Sequence, residues 1–436
     1  MTSPNATHDP SLQSWVESAN DADTDFPIQN LPHGVFRRRA SAEGWRGGVA
    51  IGEHVLDMAA ASALGVFASA VQPAAVAAGA AALNGLMAMG RPAWSALRAD
   101  LSRLLRHGAP EAARLRACLL PQADAEYAVP ARIGDYTDFF TSYDHMMNMG
   151  RLFHPDNVVL PQFHWLPIGY HGRASSIEVS GASFRRPWGQ GRAPGTAEPH
   201  YAPTKRLDYE LELAAYIGPG NVRGEAIGID AAEDHLFGVC LLNDWSARDV
   251  QGWESVPLGP FLAKNFLSTV SPWIVTLEAL APFRCPVRRK DGDPPVLPHL
   301  MPADGNARGG LDLQLEVLID TPLSAGRPMR LSRTRSAHGY WSLAQMVAHH
   351  TENGCNLASG DLIGTGTQSG PGDDEKGCLM ELSFAGRVPV ALANGETRAM
   401  LEDGDTVILR AWGQRDGFRR IGLGECRGTV LPARPA

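Results

Sequence analysis

The run Asp208-Tyr209-Glu210-Leu211-Glu212-Leu213-Ala214-Ala215-Tyr216-Ile217 begins by alternating acidic and apolar side chains with a period of two. That period marks a β-strand, whose successive side chains point to opposite faces. Read so, Asp208, Glu210 and Glu212 share one face, while Tyr209, Leu211 and Leu213 share the other. Carboxylates two residues apart repel by on the order of 1 kcal/mol in water, and by more where water is excluded. A strand that needs only a wet face does as well with Thr, Lys or Gln. A bound cation removes the repulsion, and carboxylate oxygens select a hard one such as Mg²⁺ or Ca²⁺. The competing reading is a solvated acidic edge that discourages strand pairing. Spacing alone leaves both open, because two glutamates do not complete a metal site.

Outward from this strand, the chain beyond residue 130 consists of short apolar runs punctuated by Gly and Pro, which predicts a β-rich domain. Ser342 to His350 is its best helix candidate, and His349 and His350 take no role beyond that helix. On the N-terminal side, Phe26 to Asp57 reads as short strands joined by tight turns, including Gly47-Gly48-Val49-Ala50-Ile51-Gly52. Residues 58–118 read as helices, with Trp94, Leu97, Leu101, Leu104 and Leu105 at roughly helical spacing. Glu126 to Pro130 reads as an extended linker closing that region. Residues 1–24 form a polar leader. The fold class is mainly β (α+β), with a first domain over 25–129 and a second over 130–436.

The 436 residues suffice for two or three domains. Acidic residues outnumber basic ones, 47 to 39, and no basic run offers a footprint for phosphates, which argues against a nucleic-acid partner. Six cysteines without a CxxC pair read as free thiols of a reducing, cytoplasmic compartment. Met1 to Pro10 lacks the basic-then-apolar order of a signal peptide. The uncharged, Ala-rich stretch Met58 to Gly90 is interrupted by Gln72, Pro73 and Asn84, so it reads as soluble helices rather than a membrane span. Gly364 to Gly370 has the composition of a phosphate cradle but lacks its Lys.

Two further segments offer partners for the acids. Asp135-Tyr136-Thr137-Asp138-Phe139-Phe140 sets two acids beside aromatics, with His145 seven residues beyond Asp138. Leu241 to Gln251 follows the apolar run Phe237 to Leu242 and reads as a strand ending in a turn or helix start. Asp244 there suits a helix N-cap, and Arg248 with Asp249 suits a surface pair of little energetic weight. If the segment is helical, Asp244, Arg248 and Gln251 instead share one face, where an acid, a cation and an amide can stabilise a developing oxyanion.

These segments resemble the fumarylacetoacetase family. The resemblance rests on Asp135 to Phe139, Leu166 to Ser176, Asp208 to Glu212, Asn243 to Asp249 and Val256 to Phe261. Asn353 to Asn356, Gly366 to Gly370, Met380 to Ser383 and Asp25 to Phe36 extend it over residues 25–433. It implies an N-terminal SH3-like barrel, a β-rich catalytic domain of the fumarylacetoacetase type, and a homodimer. It implies a Ca²⁺ or Mg²⁺ site at Asp138, Glu210, Glu212 and Asp244, and a second, Mg²⁺-type position at Asp244, Lys264 and Ser268. By the same resemblance His145 is the general base and Glu381 orients it. Arg248, Gln251 and Lys264 polarise the attacked carbonyl, and Tyr170 and Thr367 line the substrate pocket.

The implied activity is hydrolysis of a carbon–carbon bond in a β-diketone acid: fumarylacetoacetate gives fumarate and acetoacetate at the end of tyrosine and phenylalanine catabolism. Three pocket positions depart from the family's pattern: Phe140 and Ser255 stand in place of Tyr, and His154 in place of Arg. Two phenols and a permanent cation suit a carboxylate, so their loss points to a related acylated β-keto acid with a less charged end. A decarboxylase, isomerase or hydratase of the same superfamily is the rival enzyme reading, and an idle metal-binding scaffold the rival non-enzyme one.

Overall fold

The strand patterns beyond residue 130 build two large sheets, beside smaller two-stranded ones, in the computed structural model, which describes residues 3–435 except 194, 288 and 325. Residues 1 and 2 of the polar leader, and 194, 288, 325 and 436 of the second domain, therefore lie outside the described residues.

An eight-stranded sheet carries the site. Its main path runs Ile168–Gly172, Tyr136–Phe140, Leu362–Gly364, Leu211–Ile217, Leu236–Asp244, Ser268–Val270 and Ile177–Val179, with Val275–Thr276 paired to Leu236–Asp244. A five-stranded sheet runs Met329–Arg335, Leu313–Asp320, Thr406–Gly413, Ile421–Leu431 and Ala182–Arg185. Leu211, Leu213 and Ala215 join Leu313, Leu315, Val317 and Leu409 of that second sheet in one core. From the other face of the same strand, Ala214 and Tyr216 join Leu97, Leu101 and Leu104 of the N-terminal helices in another.

Every residue of Leu211–Ile217 is buried, which excludes the solvated acidic edge. Glu212 shares a face with Ala214 and Tyr216 but lies at the strand's near end. The expected continuous strand from Asp208 is broken: Leu207–Asp208 pairs with Ser246–Ala247, and pairing to the main sheet starts at Leu211. The break is held locally, since Asp208 Oδ1 accepts from Tyr209 N at 2.9 Å and Asn243 Oδ1 from Glu210 N at 3.1 Å. Asp208 thereby leaves the face that Glu210 and Glu212 serve.

The N-terminal strands form a separate antiparallel sheet in the order Leu119–Pro121, His54–Asp57, Arg46–Ile51, His33–Arg38 and Ala125–Ala128. The last of these takes up part of the expected linker at Glu126, whose backbone pairs with Arg37. The Ala-rich stretch folds into Met58–Ala63, Gln72–Ala78 and Asn84–Met87, followed by Arg91–Leu105. No helix among the described residues is long and apolar enough to cross a membrane. The expected helix at Ser342 is Leu343–Thr351, with Ser342 and Gln345 forming a reciprocal cap.

His33 ties the two parts together: its backbone exchanges hydrogen bonds with Ile274 at 3.0 and 2.8 Å. Its ring is buried, Nδ1 has no hydrogen-bond partner, and burial, helped by Arg98, lowers its pKa to about 4. The unfolded chain takes up a proton near pH 6.5 and the folded one resists until about 4. The resulting contribution is whole above pH 6.5 and is lost as the pH falls from there to 4, by roughly 3 kcal/mol. Denaturant melts between pH 7 and 4 should show that loss, and His33→Gln should flatten it; an unchanged slope in the variant would refute the assignment.

Candidate active site

Strand register brings the acids together. Asp138 lies opposite Gly364, which lies opposite Ala214, two residues beyond Glu212; Asp244 ends the next strand opposite Ser268. Asp138, Glu210, Glu212 and Asp244 are all buried, and each offers an oxygen within 4.8 Å of the others'. Gly364 leaves room for this convergence, because a Cβ there would lie 2.5 Å from Asp138 Oδ1. Gly366 (φ +73°) turns its amide onto Asp138 Oδ1 at 3.2 Å and Glu212 Oε2 at 3.0 Å. The Gly-rich segment thus cradles carboxylates of the protein itself.

Asp244 is the last residue of a strand, and Ala247 is the N-cap of the helix Arg248–Glu254, so Asp244 is not the helix cap. Nor does Asp244 share a helix face with Arg248 and Gln251; the strand end and the helix approach from different elements. Arg248 is buried rather than in a surface pair. Its Nε donates to Asp208 Oδ2 at 3.0 Å, and its Nη1 to Glu210 Oε1 at 2.6 Å and Gln251 Oε1 at 3.3 Å. Lys264 Nζ donates to Glu210 Oε2 at 2.6 Å and Asp244 Oδ2 at 2.5 Å. Tyr170 OH and Ser268 Oγ complete Asp244, at 2.9 and 3.3 Å.

Four acids against two cations leave an uneven field. Burial pushes the Asp138 and Glu212 carboxyls well above the usual range, and neighbouring acids, Asp244 and Asp138 foremost, push the same way. Burial works against Glu210 too, yet Lys264 and Arg248 hold it well below that range. Glu212 Oε1 is buried with no hydrogen-bond partner. Lys264 and Arg248 pair with Glu210 and Asp244, so Asp138 and Glu212 ionise readily only where a further cation joins them, and a divalent one matches their two charges. An all-oxygen donor set suits a hard ion. The residues fit one.

Beside this cluster stands a second group. His145 lies in the first turn of the helix Tyr143–Phe153, capped by Ser142, with Nδ1 2.8 Å from Glu381 Oε2. Glu381 lies in the short helix Leu379–Leu382 and accepts from Asn148 Nδ2 (2.8 Å), Ser369 Oγ (2.9 Å) and Cys378 Sγ (3.2 Å). Burial alone would raise its pKa; His145 and these donors hold it down at about 2. Both groups open onto one cleft of about 510 Å³, lined among others by Asp138, His145, Tyr170, Arg248, Gln251 and Lys264.

Family models match both halves of the chain: fumarylacetoacetase N-terminal over residues 29–130, and fumarylacetoacetate hydrolase C-terminal over 136–431. The chain is 47% identical to the fumarylacetoacetase of Oryza sativa subsp. japonica, over 97% of its own length and 98% of the relative's. It is 43% identical to that of Homo sapiens, over 94% and 97%. The chain belongs to the fumarylacetoacetase family. In fold it also matches the solved fumarylacetoacetate hydrolase of psychrophilic Exiguobacterium antarcticum, with a TM-score of 0.50 at 16% identity over 93% of this chain and all of the other.

Of the pocket positions read from the family pattern, Phe140, Tyr170, Gln251 and Thr367 line the cleft. Phe140 packs edge-on against the His145 ring, with centroids 5.1 Å apart. His154 and Ser255 are not among the lining residues. His154 is exposed at the C-cap of its helix, and the Ser255 hydroxyl donates to Gln251 O at 2.6 Å. Sequence reading passed over Asn148, Ser369, Cys378 and the two glycines that admit the acids. Asn148 alone left a trace, three residues from His145 on a helix.

Proposed function

We propose that the chain hydrolyses a carbon–carbon bond in a β-diketone acid, with 4-fumarylacetoacetate cleaved by water to fumarate and acetoacetate. One observation carries this reading: a His–Glu dyad, through His145, and a four-carboxylate cluster, through Asp138 and Glu210, open onto the same cleft. Glu381, held anionic, orients His145 through Nδ1 and leaves Nε2 to take a proton from water. The hydroxide so formed attacks a carbonyl whose growing negative charge meets Arg248, Gln251 and Lys264. Asp138, Glu210, Glu212 and Asp244 would hold Ca²⁺ or Mg²⁺, which as a Lewis acid stabilises enolate charge on the departing carbon. Asp244 and Ser268, beside the Lys264 ammonium, mark the second, Mg²⁺-type position. Tyr170 and Thr367 shape the pocket.

A second reading keeps the chemistry and changes the substrate's far end. Phe140, Met149, Ile168, Pro257 and Leu258 give the cleft an apolar wall, and its Arg248 and Lys264 are already paired with acids. An acylated β-keto acid with a less charged end fits that wall. Purified protein should release fumarate and acetoacetate in equal amounts from fumarylacetoacetate; decarboxylated or isomerised product would overturn the hydrolase reading. A β-diketone acid lacking the distal carboxylate, assayed alongside, separates the two substrates. A kcat/KM on fumarylacetoacetate far above that on the analogue would exclude the second.

The five-stranded N-terminal sheet supports an SH3-like barrel over 25–129, preceded by the leader 1–24 and followed by the catalytic domain 130–436. Exposed Val256, Leu258 and Phe261 beside the cleft support a homodimer, and six free cysteines a cytoplasmic setting.

A further inference from the structure

Asp208 is fully buried, is absent from the cleft lining, and yet touches both halves of the machinery. Its Oδ2 accepts from Arg248 Nε at 3.0 Å, with Nη2 at 2.9 Å, and from Met380 N at 3.0 Å. Its Oδ1 accepts from Leu379 N at 2.8 Å and from Tyr209 N at 2.9 Å. Leu379 and Met380 open the four-residue helix whose next residue is Glu381. One carboxylate therefore fixes the guanidinium that meets the reacting carbonyl and the backbone turn that aims Glu381 at His145.

Every polar neighbour of Asp208 named here is a donor, and a carboxylate accepts on both oxygens where an amide accepts on one. An isosteric amide would have to turn its NH₂ either toward Arg248 and the Met380 amide or toward the Leu379 and Tyr209 amides. The break in the strand after Asp208 is what brings this carboxylate beneath the helix, away from the face of Glu210 and Glu212. From this geometry we propose that Asp208 is a positioning residue that holds the oxyanion donor Arg248 and the Glu381–His145 dyad in mutual register.

The inference rests on the hydrolase reading, but its test is arranged so that the two fail separately. In Asp208→Asn, kcat should fall on the order of a hundredfold while KM changes less than about threefold, since the residue touches no substrate. Paired with Arg248→Gln, and separately with Glu381→Gln, the variant should show effects well short of additive, because each pair acts through one connection. Additive losses, or a wild-type kcat in Asp208→Asn, would overturn the proposal.

A wild type without hydrolytic activity would instead overturn the functional reading. The dyad then remains readable by proton NMR, through the low-field His145 Nδ1–H resonance identified by its absence in His145→Gln. Asp208→Asn should shift that resonance, and an unmoved signal would refute the proposal. Should Asp208→Asn not fold, Asp208→Glu keeps the charge but displaces it by one methylene and carries the same measurements. Failure of both variants to fold would make Asp208 a folding residue and overturn the assignment.

Discussion

His145→Ala is expected to lower kcat by roughly 10²–10⁴-fold, the usual contribution of a positioned acid–base group. The loss should be confined to the chemical step. The side chain's close polar contact is with Glu381, while the hydrogen bond its backbone N–H donates to Ser142 Oγ survives truncation. None of the four clustered carboxylates leans on the imidazole for a hydrogen bond, so divalent-cation binding should hold near wild type, while the melting temperature falls only as far as buried Glu381 misses its imidazole partner. Glu381→Gln should cost less, because Asn148 and Ser369 still seat the side chain while its charge is gone. Turnover of His145→Ala within about tenfold of wild type would remove the imidazole from the reaction.

Lys264→Met carries the second large effect, and it falls on stability as well as rate. Its ammonium sits between Glu210 and Asp244, and although burial opposes the charge, those two acids hold it above the usual lysine range. Removing one partner of a buried ion pair costs roughly 3–5 kcal/mol, because the remaining charge is left uncompensated. A bound divalent cation offsets part of that cost, so the drop in melting temperature should be larger in excess chelator than in Mg²⁺. The rate should fall by about 10²–10³-fold as well, the cost of a lost oxyanion donor. A variant that melts and turns over like wild type would show that Lys264 is idle.

The sequence made the mainly β second half legible through its short apolar runs between Gly and Pro, and Leu343–Thr351 as the helix candidate from Ser342 to His350. The acids were legible too, since Asp138, Glu210, Glu212 and Asp244 do converge. What failed was the local geometry between them. Periodicity cannot register a strand break at Tyr209–Glu210 that an Asn243 side chain sustains from 33 residues away. For the same reason Asp208 reads as sharing a strand face with Glu210 and Glu212 although it serves Arg248. Residues 244–251 read as a candidate helix face because i, i+4 spacing ignores whether the strand has yet ended. The Glu126 segment read as a linker because only pairing with Arg37, remote in sequence, makes it a strand. Gly364 and Gly366 were unreadable for another reason. Their value lies in the space they leave beside Asp138, Glu212 and Phe139, which no local pattern records.

Exhaustive chelation, followed by assay on fumarylacetoacetate with and without added Mg²⁺ or Ca²⁺, tests most directly whether four carboxylates and an imidazole share one reaction. Turnover should vanish on chelation and return with either ion, in proportion to about one cation bound per chain at the cluster. Turnover that survives with no divalent cation bound would contradict it.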